Sequence, residues 1–167
     1  MTIIKITCDF REKHSGIPKL LVDNKVNVSF SSLFAGDYII NDQIIVERKT
    51  AEDFIQSIMD NRLFEQCSKL KNDSRRVLIL IEGNPYKTEH KINSQAVKGA
   101  ILSLLTAWQI PAIYSQSIET SIELLLMLGK QSLKENGYLR TYKGNKPKKI
   151  KSQRLHFYKE SHQPDLL

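Results

Sequence analysis

The chain has 167 residues, 41% hydrophobic and 26% charged, the balance of a globular domain long enough to bury a core. Its most apolar stretches, Ala100–Trp108 and Ser121–Leu128, fall well short of the roughly 20 residues a bilayer span needs. Met1–Phe10 lacks the pattern of a secretory signal, so a non-membrane, intracellular protein is expected. The net charge of +7 is uneven: residues 1–138 hold 17 Lys/Arg against 16 Asp/Glu, whereas residues 139–167 hold 8 against 2, the asymmetry of a protein with a polyanionic partner.

In chain order, Thr2–Cys8 alternates β-branched and polar residues as a strand does and runs into a loop at Asp9. Ser15-Gly16 marks a turn, and Ile17–Val22 predicts a short helix with Pro18 in its first turn. Val26–Phe30 reads as a strand. After the break at Gly36, Asp37–Ile40 and Gln43–Lys49 predict a hairpin turning at Asn41-Asp42. Thr50 is a natural N-cap for a helix reaching Met59, with Glu52 and Asp53 in its first turn, and Asn61–Asn72 predicts a second helix. Arg76–Glu82 (RVLILIE) is the continuous apolar run of a strand buried on both faces. Ser94–Trp108 predicts a long helix, Pro111–Tyr114 a short strand and Glu119–Leu133 another amphipathic helix. The alternation implies an α/β fold, a central sheet with helices on both faces. Residues 1–135 form the expected domain, and 136–167 a basic, linker-like tail. Cys8 and Cys67 are too few for a disulfide framework, lack metal-ligand spacing, and are expected as buried thiols.

Chemistry concentrates in Gly36-Asp37-Tyr38, then Glu47-Arg48-Lys49, then Asp53. Side chains alternate along a strand, so Glu47 and Lys49 share one face and Arg48 takes the other. A two-residue turn pairs Ile40 with Gln43 and sets Asp37 opposite Val46, next to Glu47; a bulge would move this by one residue. Two carboxylates and an ammonium at one end of a hairpin suit phosphodiester hydrolysis. Hard oxygens hold Mg²⁺ or Mn²⁺, which activates water and neutralises phosphate charge, while the lysine orients water or stabilises the transition state. By itself, D…E-x-K also arises from charge alternation on exposed strands.

With its flanking residues the pattern is more specific. Gly36-Asp37, Glu47-Arg48-Lys49 and Asp53 reproduce the motif G-D-x(n)-E-R-K-x(3)-D, and the chain resembles the nuclease domain of the XPF family of structure-specific endonucleases. Asp9-Phe10-Arg11-Glu12, Asn61–Gln66 and Val77–Glu82 extend the resemblance over roughly 130 residues. It implies a restriction-endonuclease-like mixed sheet and metal-dependent cleavage of branched or flapped DNA in repair, replication or recombination. It also implies Asp37 and Glu47 as metal ligands, Asp9 as a further acid at the metal, Lys49 as the catalytic lysine, and Arg48 and Asp53 as residues needed for activity. An Arg48–Asp53 ion pair would explain the last two. Family members commonly pair as homodimers or heterodimers through this domain and carry tandem helix-hairpin-helix motifs, of which residues 136–167 contain no complete copy.

Other residues have two readings each. Glu12 either supports the site or pairs with Arg11. Arg62 and Gln66, one helical turn apart, face DNA or solvent. Glu82 flanks the site or caps the next turn, and Tyr38 reads as core. Lys146, Lys148, Lys149 and Lys151 are candidate phosphate contacts whose binding would be strongly salt-dependent. His14, His90, His156 and His162 form no spaced cluster. Two other functions share these features: a junction resolvase or restriction-type nuclease with the same D…E-x-K core, and a non-catalytic DNA-binding partner subunit.

Overall fold

Six short segments of alternating or continuous apolar residues assemble into one mixed sheet in the computed structural model, which describes residues 3–141, with side chains described through residue 134. The strands are β1 (Lys5–Asp9), β2 (Asn27–Ser31), β3 (Tyr38–Ile40), β4 (Ile44–Thr50), β5 (Arg76–Glu82) and β6 (Ala112–Ser115), in the order β2-β1-β3-β4-β5-β6. β1 is parallel to β2, β4 to β5 and β5 to β6, whereas β3 is antiparallel to both of its neighbours. The helices are α1 (Ile17–Asp23), α2 (Ala51–Met59), α3 (Arg62–Lys71), α4 (Ser94–Thr106) and α5 (Ile118–Thr141), with a 3-10 turn at Phe10–His14 where a loop is expected.

Alternation along the strands divides the core in two. Ile6, Cys8, Tyr38, Val46 and Leu80 face α1 and α5 and pack against Ile17, Leu21, Ile122 and Leu125. Ile39, Ile45, Ile79 and Ile81 face the other side and pack against Phe54, Leu63, Leu70, Val97 and Leu104 of α2, α3 and α4. The RVLILIE run therefore fills both cores at once, as an interior strand must. Cys8 and Cys67 are free, buried thiols; burial is the main cause that pushes them up to about 12 and about 11.

Two local expectations need correction. Asn41 and Asp42 both adopt positive φ, and the Gln43 N–H closes the turn onto the Ile40 carbonyl at 2.9 Å, as a two-residue hairpin requires. The ladder nevertheless pairs Ile40 with Ile44 and Tyr38 with Val46, leaving Gln43 outside it. The Gln43 carbonyl instead accepts the Arg76 N–H of β5, and the Asn41 amide is pinned by Lys5 N–H, the Gly129 carbonyl and Ser132. The second correction is to α5, which continues past Leu133 to Thr141, so residues 136–141 are helical rather than linker. Lys134, Glu135, Leu139 and Arg140 all favour helix, and the one glycine, Gly137, costs roughly 1 kcal/mol without ending it. Lys146, Lys148, Lys149 and Lys151 lie outside the described residues.

Candidate active site

The shifted register has a chemical consequence. Continued by one residue, the Tyr38–Val46 pairing sets Asp37 across from Glu47 rather than Val46, so two carboxylates sit as a cross-strand pair on the α2–α4 side of the sheet. Gly36 makes this approach possible. Its φ of +82° is left-handed, and an added Cβ would overlap the Ile45 side chain. Asp37 N–H donates to the Val46 carbonyl at 2.9 Å, and Asp37 Oδ2 accepts the Arg48 N–H at 2.8 Å, which locks the carboxylate over β4.

Like charges facing each other out of water repel strongly. Burial first, and then the charge of Glu47, push Asp37 up to about 7. Lys49 lies two residues beyond Glu47 on the same face, as alternation predicts, with Nζ 3.3 Å from Glu47 Oε1. Beside them is a recess of about 140 Å³ shaped by Arg11, Phe34, Gly36, Glu47, Gln66 and Lys69.

Arg11 points into the field of both acids. Its hydrogen bond to Asp9 is the main cause raising its pKa, and the charges of Asp37 and Glu47 add to it. Gln66 reaches the recess from α3, and its Oε1 is buried without a hydrogen-bond partner. Lys69, three residues on along the same helix face, is absent from the motif-based candidates, although i, i+3 spacing from Gln66 carries the signal. Arg62 points elsewhere and pairs with Asp60 at 2.8 Å on the exposed start of α3.

Asp9 sits next to Asp37, its N–H donating to the Asp37 carbonyl at 2.8 Å, and its carboxylate already accepts three hydrogen bonds. Oδ1 accepts the Arg11 N–H and Arg11 Nε at 2.9 and 2.6 Å, and Oδ2 accepts the Leu33 N–H at 2.8 Å. Burial raises the Asp9 pKa, yet these hydrogen bonds outweigh it and hold the group below its ordinary value. Asp9 thus caps the 3-10 turn and tethers the β2–β3 loop. Among the described residues, no three acidic, histidine or cysteine side chains form a group able to hold a metal ion.

Arg48 and Asp53 do not pair. Arg48 emerges on the α1/α5 face, where Nε and Nη2 donate to Glu82 at 3.1 and 2.7 Å. Ser121 of α5 donates to the same carboxylate at 2.6 Å and lies 2.7 Å from Ser115. Burial alone would raise Glu82; the bonds from Arg48 and Ser121 outweigh it and lower it. Glu82 therefore supports β4 from behind. Asp53 joins Thr50 at the N-cap of α2: its N–H donates to Thr50 Oγ1 at 3.1 Å, and Thr50 Oγ1 donates to Asp53 Oδ2 at 2.8 Å. Glu12 accepts a hydrogen bond from the fully buried Tyr38, so it supports the core rather than pairing with Arg11.

The donor set suits a hard divalent cation. Mg²⁺ is commonly held by one or two carboxylates and keeps several waters. A half-buried carboxylate pair whose mutual repulsion helps drive one member up to about 7 is a site short of positive charge, and the orphaned Gln66 oxygen is a further acceptor at its edge.

Known proteins resemble this chain in sequence and fold. The family model described as the ERCC4 domain matches residues 8–128. The 3′-flap repair endonuclease Xpf of Saccharolobus solfataricus is 34% identical over 131 residues, 77% of this chain and 56% of that protein. MJ1505 of Methanocaldococcus jannaschii, whose name proposes an ATP-dependent RNA helicase, is 39% identical over 151 residues, 90% of this chain but 18% of that protein. The solved structure of XPF from Aeropyrum pernix in complex with DNA superposes with a TM-score of 0.74 at 32% identity, covering 78% of this chain and 66% of that one. The chain spans little more than half the length of one of these curated relatives and under a fifth of the other. From sequence, motif, sheet order and superposition together, this chain belongs to the ERCC4-domain family and carries an XPF-type nuclease domain.

Proposed function

We propose that the chain is a Mg²⁺- or Mn²⁺-dependent endonuclease that hydrolyses phosphodiester bonds in branched or flapped DNA. The observation that carries this reading is the convergence of Asp37, Glu47 and Lys49 at one end of the β3–β4 hairpin, beside a recess edged by Arg11 and Lys69.

Asp37 and Glu47 would hold the cation between them. When bound, it lowers the pKa of water and neutralises charge on the scissile phosphate. Lys49, with three N–H donors and little solvent around it, orients the attacking water and meets the charge that grows on the phosphate oxygens. Arg11, anchored by Asp9, offers its remaining N–H groups to a non-bridging oxygen. Asp9 acts through Arg11 and the β2–β3 loop, Arg48 through the Glu82 pair behind β4, and Asp53 through the first turn of α2.

The basic residues beyond 139 add phosphate contacts. Leu102 and Leu105 of α4, 60% and 58% exposed, would cover a second copy or a related subunit. An enzyme acting on DNA in repair or replication would work inside the cell. Among the described residues, no helix is long and apolar enough to cross a membrane. A panel of 3′-flap, splayed-arm, four-way-junction and plain duplex DNA tests the substrate class. Preferential cutting of the flap and splayed arm is expected, and equal cutting across the panel would contradict it.

A further inference from the structure

Resting on the reading of the chain as a DNA-acting protein, we infer that a cleft between Tyr86 and Tyr114 binds an unpaired nucleobase of the DNA strand leaving the active site. The cleft has a volume of about 520 Å³ and is shaped by Gly83–Tyr86, after β5, and Tyr114–Gln116, at the end of β6. That is within the range of small-ligand pockets and several times the recess at Glu47. Tyr86 and Tyr114 are 50% and 46% exposed, unusual for two large rings lining one cavity.

The chemistry of the lining selects the occupant. None of its residues is charged, so it suits a neutral planar group rather than a phosphate. The tyrosines offer ring faces for stacking, and the Asn84 and Gln116 amides offer hydrogen bonds to a ring's polar edge. Lys87, next to Tyr86 in sequence, is exposed and available to the strand's phosphates.

Position supplies the second argument. The strand registers align Lys49 with Ile81 and Ile81 with Tyr114, so Lys49 and Tyr114 lie in one row on the same face of the sheet. They are two strand spacings apart, roughly 10 Å. Ile81, between them, is fully buried against α2, so a strand joining the two sites runs over the surface along a path longer than this spacing. Gly83, at the cleft wall, backs onto Ala51, two residues after Lys49.

The cleft is also preformed. Asn84 Oδ1 accepts the Tyr86 N–H at 2.9 Å, and the Asn84 carbonyl accepts the Lys87 N–H at 2.9 Å, fixing the turn that carries the Tyr86 ring with Pro85 inside it. Burial, and then the nearness of Tyr86, raise the Tyr114 hydroxyl pKa, as expected for two rings sharing one cavity.

The test is binding in EDTA, where cleavage plays no part. Full-length protein, Tyr86→Ala/Tyr114→Ala and Tyr86→Phe/Tyr114→Phe are titrated with splayed-arm DNA and with blunt duplex, after melting curves establish that each is folded. The alanine pair should lose about tenfold or more in affinity for the splayed arm and little for duplex, and the phenylalanine pair should keep it. In the unmutated protein, 2-aminopurine moved stepwise along the unpaired arm should be quenched at one position, and the alanine pair should abolish that quenching. Equal losses on both DNAs, or none on the splayed arm, would overturn the cleft. If the unmutated protein bound neither DNA, the nuclease reading itself would fail, and the cleft with it.

Discussion

Replacing Asp37 by asparagine keeps the side chain's size and leaves an amide oxygen to accept the Arg48 N–H, but removes the charge that burial and Glu47 oppose. The carboxyl is pushed from an ordinary 3.8 up to about 7. Each tenfold change in proton affinity corresponds to ~1.4 kcal/mol, so the ionised carboxylate costs the metal-free fold up to about 4 kcal/mol. The folded-state pKa lies above the unfolded one. Between roughly pH 4 and pH 7, the folded chain therefore holds a proton the unfolded chain has released, and stability falls as pH rises through that window. The Asp37→Asn protein lacks this dependence. Urea unfolding of both proteins in EDTA should give nearly equal stabilities near pH 4, a gap in favour of Asp37→Asn that widens upward, and a plateau above pH 7. Mg²⁺ at pH 8 should stabilise the unmutated protein and leave Asp37→Asn almost unchanged, since ligand bound only by the folded state adds RT ln(1 + [L]/Kd). A gap that stays constant with pH, or an Asp37→Asn protein less stable at pH 8 than the unmutated one, would show that desolvation and repulsion within the half-buried acid pair are not what strains the site.

Three further outcomes are expected. Arg48→Met alone leaves Glu82 charged and half-buried and should cost about 3 kcal/mol in thermal unfolding, while adding Glu82→Leu should recover much of the loss. Thr50→Ala and Asp53→Ala should each cost about 1 kcal/mol by unfolding, and the double variant little more than either, because both break the same Thr50–Asp53 contact at the N-cap of α2. Truncation after Leu139 removes 8 Lys/Arg and 2 Asp/Glu, a net charge of +6, so DNA affinity should fall and its salt dependence flatten. An unchanged salt slope would place the phosphate contacts elsewhere.

Much of this fold is legible in the sequence because short-range periodicity determines it. RVLILIE reads only as an interior strand, and alternation within Glu47-Arg48-Lys49 places the acid and the lysine together with the arginine behind them. The hairpin register is not legible to within a residue. It depends on Gln43 leaving the ladder to bond Arg76, and on Asn41 being held by residues near 129–132. The partner of Arg48 escapes sequence reasoning for a similar cause. Asp53 is near in sequence, but Glu82, 34 residues away, is brought behind β4 by the parallel pairing of β4 and β5. Asp53 carries a capping signal with Thr50 that its place in the motif overshadows. The tyrosine cleft joins the loop after β5 to the end of β6, and no local pattern announces it.

Whether Asp37, Glu47 and Lys49 form a metal-dependent nuclease centre is decided by cleavage of a labelled 3′-flap substrate at low salt. The unmutated protein and Lys49→Ala are compared, each with Mg²⁺ or Mn²⁺ and with EDTA. Cutting near the junction that requires both the cation and Lys49 is the expected result. Cutting that persists in EDTA or survives Lys49→Ala, or no cutting by a folded, DNA-binding chain supplied with metal, would contradict it.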